Sequence, residues 1–287
     1  MNKFKKVDLS FQSCTSEYKE ADVVIFSCPM DATTSYRPGT RFAGNAIRVD
    51  SIGIEWYSPY QDKDLKNFKT CDIGDIDLPI GDVKVALDNI YDTTKAILND
   101  NKKPMMIGGE HLVTYPVVKA VYESHPDLHV IHLDAHTDLR DEFFGMKFSH
   151  ATVIRRIHDF LGDGKIYSFG IRSGDSHEFK WSDRGHTTIR KFDFDTLEET
   201  ILKLKDKPVY ITIDLDVLDP GVFPGTGTPE PGGMQYKDLL NAFKLFEQLT
   251  NLVGADIVEL NPYLDPSGAS TAVAVKSLRE LVLLLHR

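Results

Sequence analysis

Short apolar segments without polar alternation recur along the chain, and each is followed by a longer stretch with helical periodicity. A strand that is buried on both faces forms a continuous apolar run, whereas a strand with one wet face alternates polar and apolar residues. Parallel strands need crossover connections of a dozen or more residues, which are usually helices. The pattern therefore predicts parallel β-α-β units with strands at 23–28, 105–107, 128–133, 166–170, 209–215 and 252–260.

The intervening stretches carry the signals of amphipathic helices. Between residues 82 and 98, apolar side chains recur at steps of three and four, which places them on one helix face. Similar stretches predict helices at 45–56, 112–122, 150–160, 195–204, 236–249 and 270–286. No linker, charge run or repeat interrupts this alternation. We therefore expect an α/β fold, a three-layer α/β/α sandwich with a mostly parallel sheet, in a single domain over residues 1–287.

The composition argues against several classes of protein. Of 287 residues, 41% are apolar and 26% charged, as in globular proteins, and no apolar run approaches the ~18 residues that a membrane helix needs. A formal charge of −10 disfavours nucleic acid and anionic membranes as partners. The three cysteines show no C-x-x-C spacing, and no apolar segment follows the basic N-terminus. We expect reduced thiols, no secretory signal and a cytoplasmic location.

Residues of metal-binding type follow three of the predicted strands. GGEH (108–111), DAHTD (134–138) and DLD (214–216) each come where a strand ends. Alternate side chains of an extended chain point to the same side, and chemistry in open parallel sheets lies beyond the carboxyl ends of the strands. Any one of these residues alone would indicate only a cap or a turn. Together they predict a shared site formed by His111, Asp134, His136, Asp138, Asp214 and Asp216.

The charge of this set indicates what it binds. Four aspartates crowded at one sheet edge repel one another and require cations, because an unpaired buried charge is strongly unfavourable. Two divalent ions would balance the four carboxylates, and one imidazole would serve each ion. Two metals roughly 3.5–4 Å apart form a hydrolytic site. Oxygen and imidazole donors without sulfur favour Mn²⁺ over Zn²⁺, although imidazole leaves Co, Ni and Fe open, so we expect two Mn²⁺ per chain.

These motifs resemble the three metal-binding signatures of the ureohydrolases, the arginase and agmatinase family, the third reading DLDVLDP (214–220) in full. Family-like stretches continue almost throughout the chain from about Val23: DATTSYRPGTRF (31–42), GIRSG (170–174), GTGTPEPGG (225–233) and DIVELNP (256–262). RPGTRF and GTGTPEPGG are most similar to bacterial agmatinases. The resemblance implies an arginase/deacetylase-like fold and a metal-dependent hydrolase of linear amidines. The implied reaction converts agmatine to putrescine and urea, a step of polyamine biosynthesis.

The resemblance also implies a role for each matching metal ligand. One Mn²⁺ would be held by His111 and Asp138, the other by His136 and Asp216, and Asp134 and Asp214 would be shared. A hydroxide bridging the two metals would attack the guanidinium carbon of the substrate. Asp138 would steady this hydroxide and pass on its proton after the attack.

Two residues outside the metal set match the catalytic pattern of the family. His150 matches the histidine that moves protons to the leaving amine, and Glu259 matches the carboxylate that pairs with the guanidinium. Histidine suits proton transfer near neutral pH, and a carboxylate matches the planar guanidinium fork. Ala151 departs from the pattern, which has glycine there, and its methyl group would be harmless or would narrow the pocket. Family members commonly form trimers or hexamers, so we expect a homo-oligomer.

The loop 139–149 is expected to face the far end of the substrate. Arg140 and Lys147 could receive a carboxylate, and Asp141 and Glu142 could receive an ammonium group. The acidic chain favours a small dicationic substrate such as agmatine. Guanidinobutyrase and arginase activity are the alternatives within the family.

Two further alternatives come from other classes of protein. A deacetylase of the same architecture would use one Zn²⁺, but catalytic zinc usually takes three protein ligands rather than six. A metal-binding relative without turnover would need neither His150 nor Glu259. The sequence therefore favours a hydrolase with two metals.

Overall fold

An eight-stranded sheet forms the centre of the computed structural model, which describes residues 9–287. Its strands are β1 (Val23–Ser27), β4 (Thr70–Asp75), β5 (Lys103–Ile107), β6 (His129–Leu133), β7 (Ile166–Ile171), β8 (Thr188–Lys191), β9 (Val209–Asp214) and β10 (Leu252–Val258), while β2 (Tyr57–Ser58) and β3 (Lys63–Asp64) form a separate antiparallel pair. The order β4-β1-β5-β10-β9-β6-β7-β8 is parallel at every pairing.

Helices cover both faces of this sheet. They are α1 (Ala43–Asp50), α2 (Val83–Asn99), α3 (Thr114–Ser124), α4 (Val153–Leu161), α5 (Ser176–Trp181), α6 (Leu197–Leu204), α7 (Tyr236–Phe246) and α8 (Ala269–Leu285). Residues of α1, α6, α7 and α8 share one apolar core with the sheet, and residues of α2, α3 and α4 share a second. Because successive strand residues point to opposite faces, Ile25 lies in the first core and Phe26 in the second. The predicted three-layer sandwich is confirmed.

The four middle strands bring their carboxyl ends into line. Leu133 of β6 pairs with Ile213 of β9, and Ile257 of β10 pairs with both Ile213 and Ile107 of β5. The residues that follow these strands therefore start from neighbouring positions at one edge of the sheet. This register brings the motifs at 108–111, 134–138 and 214–216, and also Glu259, to a common site.

The two edge strands β4 and β8 were not expected from the sequence. Both are polar and only partly buried, because each has a neighbour on one side alone. Strand β4 is held by the buried guanidinium of Arg48 on α1, whose Nε and Nη1 lie 2.8 and 2.5 Å from carboxylate oxygens of Asp72 and Asp75. Because ion pairs contribute to holding this strand in place, its sequence contains no apolar run from which it could be predicted.

Helix α1 is shorter than the predicted helix at 45–56, which was wrong at both ends. The helix starts at Ala43 rather than Asn45, and after Asp50 it tightens into a 3₁₀ turn over Ser51–Gly53. The Ser51 hydroxyl donates to the carbonyl of Arg48 at 2.8 Å, so a side chain competes with the next helical turn.

The N-terminal residues that carry the prediction of no secretory signal lie mostly outside the described residues, which begin at Leu9. No helix of residues 9–287 combines the length and the apolarity that crossing a membrane requires. The single-domain organisation of residues 1–287 stays a prediction.

Candidate metal centre and substrate cavity

His111 enters the site through a sharp turn after β5. A Cβ atom at Gly109 would lie 1.8 Å from the carbonyl oxygen of Met30, so only glycine lets the chain pass here. The His111 side chain is buried at the start of a short 3₁₀ helix. Its Nδ1 atom lies 3.1, 3.2 and 3.4 Å from carboxylate oxygens of three aspartates, Asp134, Asp138 and Asp214.

His136 faces the same group of carboxylates from the loop after β6. Its Nδ1 atom lies 3.0 Å from Oδ2 of Asp216 and 3.5 Å from Oδ1 of Asp134. Asp138 has a φ of +51°, a left-handed conformation that is unfavourable for residues other than glycine. In this conformation its carboxylate lies beside His111. The structure thus brings all six predicted ligands together.

Burial and mutual repulsion dominate the electrostatics of this cluster. Burial and the charge of Asp134 raise the pKa of Asp138 to about 7. Burial also raises the pKa of Asp214 well above its usual range, and there the charges of Asp216 and Asp134 act in the same direction. Although burial opposes it, contact with these carboxylates raises the pKa of His111 and of His136. The cluster therefore favours any added positive charge.

The donor set fits divalent cations. Nδ1 of His111 is buried, yet no atom of the described residues meets it with hydrogen-bond geometry. When a bound cation displaces the extra proton of the ring, this nitrogen becomes an electron-pair donor surrounded by carboxylate oxygens. Imidazole with carboxylate is a common ligand combination for Mn²⁺, Fe²⁺ and Zn²⁺.

A second layer of side chains orients these ligands. Nε2 of His132 lies 2.7 Å from Oδ2 of Asp134. Nε2 of His111 lies 3.0 Å from the Thr212 hydroxyl, which donates to Asp256 at 2.6 Å. If Nε2 of His111 carries the proton, the Nδ1 atom remains free to bind a metal.

This second layer was not predicted from the sequence. His132 and Thr212 each precede a ligand by two residues, so the strand period already places them on the ligand side. A polar residue within an otherwise apolar strand, such as Asp256, is the signal that could have identified them.

His150 and Glu259 line the same site. Nε2 of His150 is 3.2 Å from the Ser35 hydroxyl, and the backbone N–H of His150 donates to the Thr33 hydroxyl at 3.0 Å. Burial lowers the pKa of His150 to about 4, which leaves its ring neutral at neutral pH. Glu259, at a φ of +65°, accepts a hydrogen bond from the backbone N–H of His111 at 2.8 Å. Burial and the charge of Glu110 raise the pKa of Glu259 well above its usual range.

These side chains line a cavity of about 240 Å³. Its lining includes His111, His136, Asp138, Asp214, His150 and Glu259, together with Arg140, Phe143, Ala151, Asp175 and Glu178. From the loop 139–149, only Arg140 and Phe143 line the cavity. Asp141, Glu142 and Lys147 line a separate surface depression instead, where Asp141 pairs with Arg156 at 2.9 Å.

Arg140 is already paired inside the cavity. Its Nη1 atom lies 2.7 Å from Asp175 and its Nε atom 3.5 Å from Glu178, while its guanidinium lies over the Phe143 ring at 4.8 Å. The single positive charge of Arg140 therefore faces two carboxylates, and these three side chains give the far end of the cavity a net negative charge. Asp175 and Glu178 were not predicted from the sequence, although both follow the end of β7 at the same sheet edge.

The chain is similar to known proteins over almost its whole length. The model of the arginase family matches residues 21–284. Agmatinase from Bacillus subtilis is 46% identical over 275 residues, which is 95% of each chain. A crystal structure of a proposed agmatinase from Clostridium difficile superposes with a TM-score of 0.92 at 50% identity, covering 94% of this chain and 99% of that one. Agmatine ureohydrolase of Thermoplasma volcanium gives a TM-score of 0.89 at 35% identity, over 98% and 95% of the two chains.

Proposed function

The chain belongs to the arginase family and is a metal-dependent ureohydrolase, and we propose that it hydrolyses agmatine to putrescine and urea. The observation that carries this proposal is a cavity whose inner end gathers four carboxylates around two imidazoles and whose outer end keeps an unbalanced carboxylate. Agmatine carries a guanidinium at one end and an ammonium at the other. Once two metal ions balance the four aspartates, Glu259 is left to pair with the guanidinium, and the carboxylates of Asp175 and Glu178 face the ammonium.

The ligand contacts support two metal positions with a shared aspartate. Asp134 turns one carboxylate oxygen toward His111 and the other toward His136. The proposed ligands are His111 and Asp138 for one ion, His136 and Asp216 for the other, and Asp134 and Asp214 for both. We propose Mn²⁺, because the donors are oxygen and imidazole without sulfur. Two such ions, when bound, lower the pKa of water toward about 7 and so supply a nucleophile at neutral pH.

The side chains of this protein would bind the guanidinium and move the protons. Glu259 is buried beside the ligands, and a guanidinium placed against it would favour its charged form through two parallel hydrogen bonds. Hydrolysis adds water across one C–N bond, so the carbon leaves as urea and the amine nitrogen gains a proton. Asp138, whose carboxylate lies beside His111 at the proposed metal position, would take the first proton. The neutral ring of His150 can accept a proton and pass it to the amine.

The pairing of Arg140 supports agmatine over substrates that carry a carboxylate. A carboxylate at the far end would have to displace Asp175 or Glu178 from the guanidinium and would meet their negative charge. An ammonium group meets attraction from the same carboxylates. 4-Guanidinobutyrate is the second candidate, because Arg140 does line the cavity.

The proposal is tested by urea release from the Mn²⁺-loaded protein, with agmatine, arginine and 4-guanidinobutyrate offered in parallel. We expect metal-dependent urea from agmatine and little from the other two. A metal-stripped sample controls for background, and the variant Asp141→Asn, altered outside the cavity, is the matched control for changes to the loop. Urea from a carboxylate-bearing substrate alone would overturn the substrate assignment. The absence of urea from all three would overturn the proposed function.

We also propose a cytoplasmic location and a homo-oligomer, either a trimer or a hexamer. The acidic surface and the cysteines without C-x-x-C spacing support the location. Sedimentation of the loaded protein would test the assembly, and a monomer across the concentration range would contradict it.

A further inference from the structure

Two histidines and an aspartate converge at the surface, apart from the cavity. Nε2 of His158 and Nδ1 of His186 each lie 2.8 Å from the same carboxylate oxygen, Oδ1 of Asp163. The three ligand atoms lie within 4.8 Å of one another. None of the three residues lines the substrate cavity.

Local backbone geometry builds this cluster from three segments. His158 lies on the last turn of α4, and Asp163 follows in a turn between two glycines whose φ values are +77° and +72°. His186 ends a π-helical turn, Ser182–His186, in which Gly185 has a φ of +97°. Glycine adopts these left-handed conformations without the strain that a side chain adds.

We propose that His158, Asp163 and His186 bind a divalent transition-metal ion, with Zn²⁺ as the favoured ion. Two imidazoles and one carboxylate form a donor set found in three-ligand zinc sites, which leave a fourth position open. Imidazole donors bind Zn²⁺ and Ni²⁺ well, whereas Ca²⁺ and Mg²⁺ prefer sites made of oxygen atoms alone.

To accept the ion, both N–O distances must open, and the two imidazole nitrogens, which lie within 4.8 Å of each other, must reach the spacing of zinc ligands. In tetrahedral zinc sites with ligand bonds of about 2.0–2.1 Å, neighbouring donor atoms lie about 3.3 Å apart. The two N–O distances here must therefore open by roughly half an ångström. The Asp163 side chain is 64% exposed and lies in a turn, so it can move without disturbing the core.

Trp181 supplies a spectroscopic reporter for the site. Its ring stacks on His186 with a centroid distance of 4.4 Å and meets the edge of His158 at 4.6 Å. The chain has two tryptophans, and Trp56 is the other. In the variant Trp56→Phe, tryptophan emission therefore comes from Trp181 alone.

The test uses the full-length, Mn²⁺-loaded protein carrying Trp56→Phe, dialysed against excess Zn²⁺ and analysed for bound metal. We expect the variants Asp163→Asn and His186→Gln to bind about one Zn²⁺ fewer per chain than the parent. The Asp163→Asn change keeps a hydrogen-bond acceptor but removes the charge, so it separates a metal ligand from a purely structural contact. His125→Gln, altered at a histidine outside the cluster, is the matched control. Zinc that exchanges into the catalytic centre is common to all variants and cancels in the difference.

Titration with Ni²⁺ gives an independent readout, because a bound paramagnetic ion quenches a stacked indole. We expect saturable quenching of Trp181 in the parent and in His125→Gln, and loss of that quenching in Asp163→Asn. Equal zinc content or equal quenching in the parent and Asp163→Asn would overturn the proposal. Neither measurement depends on urea release, so the result is independent of the proposed function.

Discussion

The two ends of the substrate cavity are built in different ways. The inner end consists of buried side chains at the carboxyl ends of the middle strands, such as His111 after β5 and Asp214 at the end of β9. The outer end consists of loop side chains, among them Arg140 and Asp175, whose side chains are 30% and 50% exposed. We therefore expect the register of the sheet to determine the proposed reaction, and the more exposed loop side chains to determine the choice of substrate. Changes at the inner end should therefore have large effects, and changes at the outer end small ones.

The largest effect is expected when a proposed metal ligand is removed. His136→Ala deletes one of the two imidazoles proposed to bind metal, whose Nδ1 atom lies 3.0 Å from Asp216 and 3.5 Å from Asp134. We expect urea release to fall to the level of the metal-stripped protein, with less than a full complement of bound metal by elemental analysis. Activity and metal content equal to those of the parent would contradict the proposed site.

The inner end should also make the metal-stripped protein sensitive to pH. Burial, followed by the charge of Asp134, raises the pKa of Asp138 to about 7 in the folded state, above its unfolded value. Stability from such a group is present below the unfolded pKa and is lost as the pH rises through the folded pKa. The parent should therefore lose stability relative to Asp138→Asn between about pH 4 and pH 7. At about 1.4 kcal/mol per pKa unit, the loss would approach about 4 kcal/mol as an upper limit.

Urea unfolding of both metal-stripped proteins at pH 5 and pH 8 measures this difference. The Asp138→Asn variant is the reference for the parent. Acid-sensitive groups elsewhere in the chain are common to both proteins, so they cancel in the difference. If the gap between the two unfolding free energies were the same at both pH values, the electrostatic account of the inner end would be wrong.

A smaller effect is expected in the layer behind the ligands. Thr212→Val keeps the shape of the side chain but removes the hydroxyl that joins Asp256 to Nε2 of His111. Loss of such a supporting contact typically weakens metal binding by about 10- to 100-fold. Competition with a chelator measures the affinity. The control is Thr200→Val, because the Thr200 hydroxyl donates to the carbonyl of Thr196, one turn earlier at the start of α6. Equal loss in both variants would contradict the role of Thr212.

The smallest effect is expected at the outer end. Asp175→Asn removes a carboxylate that is half exposed, and exposed ion pairs contribute about 0.2–1 kcal/mol. We expect the KM for agmatine to rise by roughly twofold to fivefold, with kcat and metal content close to those of the parent. Steady-state kinetics on the loaded enzyme measures this split. A large fall in kcat would show that the two ends are not independent.

The inner strands could be predicted from the sequence, and the edge strands could not. Strands such as β6 and β9 are buried on both faces, so each leaves a continuous apolar run. Strands β4 and β8 have partly exposed, polar residues, and pairing with one neighbour leaves no such run. The ion pairs of Arg48 with Asp72 and Asp75 join residues more than 20 positions apart, so they cannot be predicted from a local sequence pattern.

The α/β architecture and the candidate metal ligands could be predicted from the sequence alone, because strand burial and the two-residue strand period are local properties. The tertiary structure decided which side chains reach the outer end of the cavity. From the loop 139–149, Asp141 turns to Arg156 on α4, whereas Arg140 turns inward to Asp175. Both residues are charged and adjacent in sequence. Their directions depend on partners from distant elements, which only the assembled fold brings into reach.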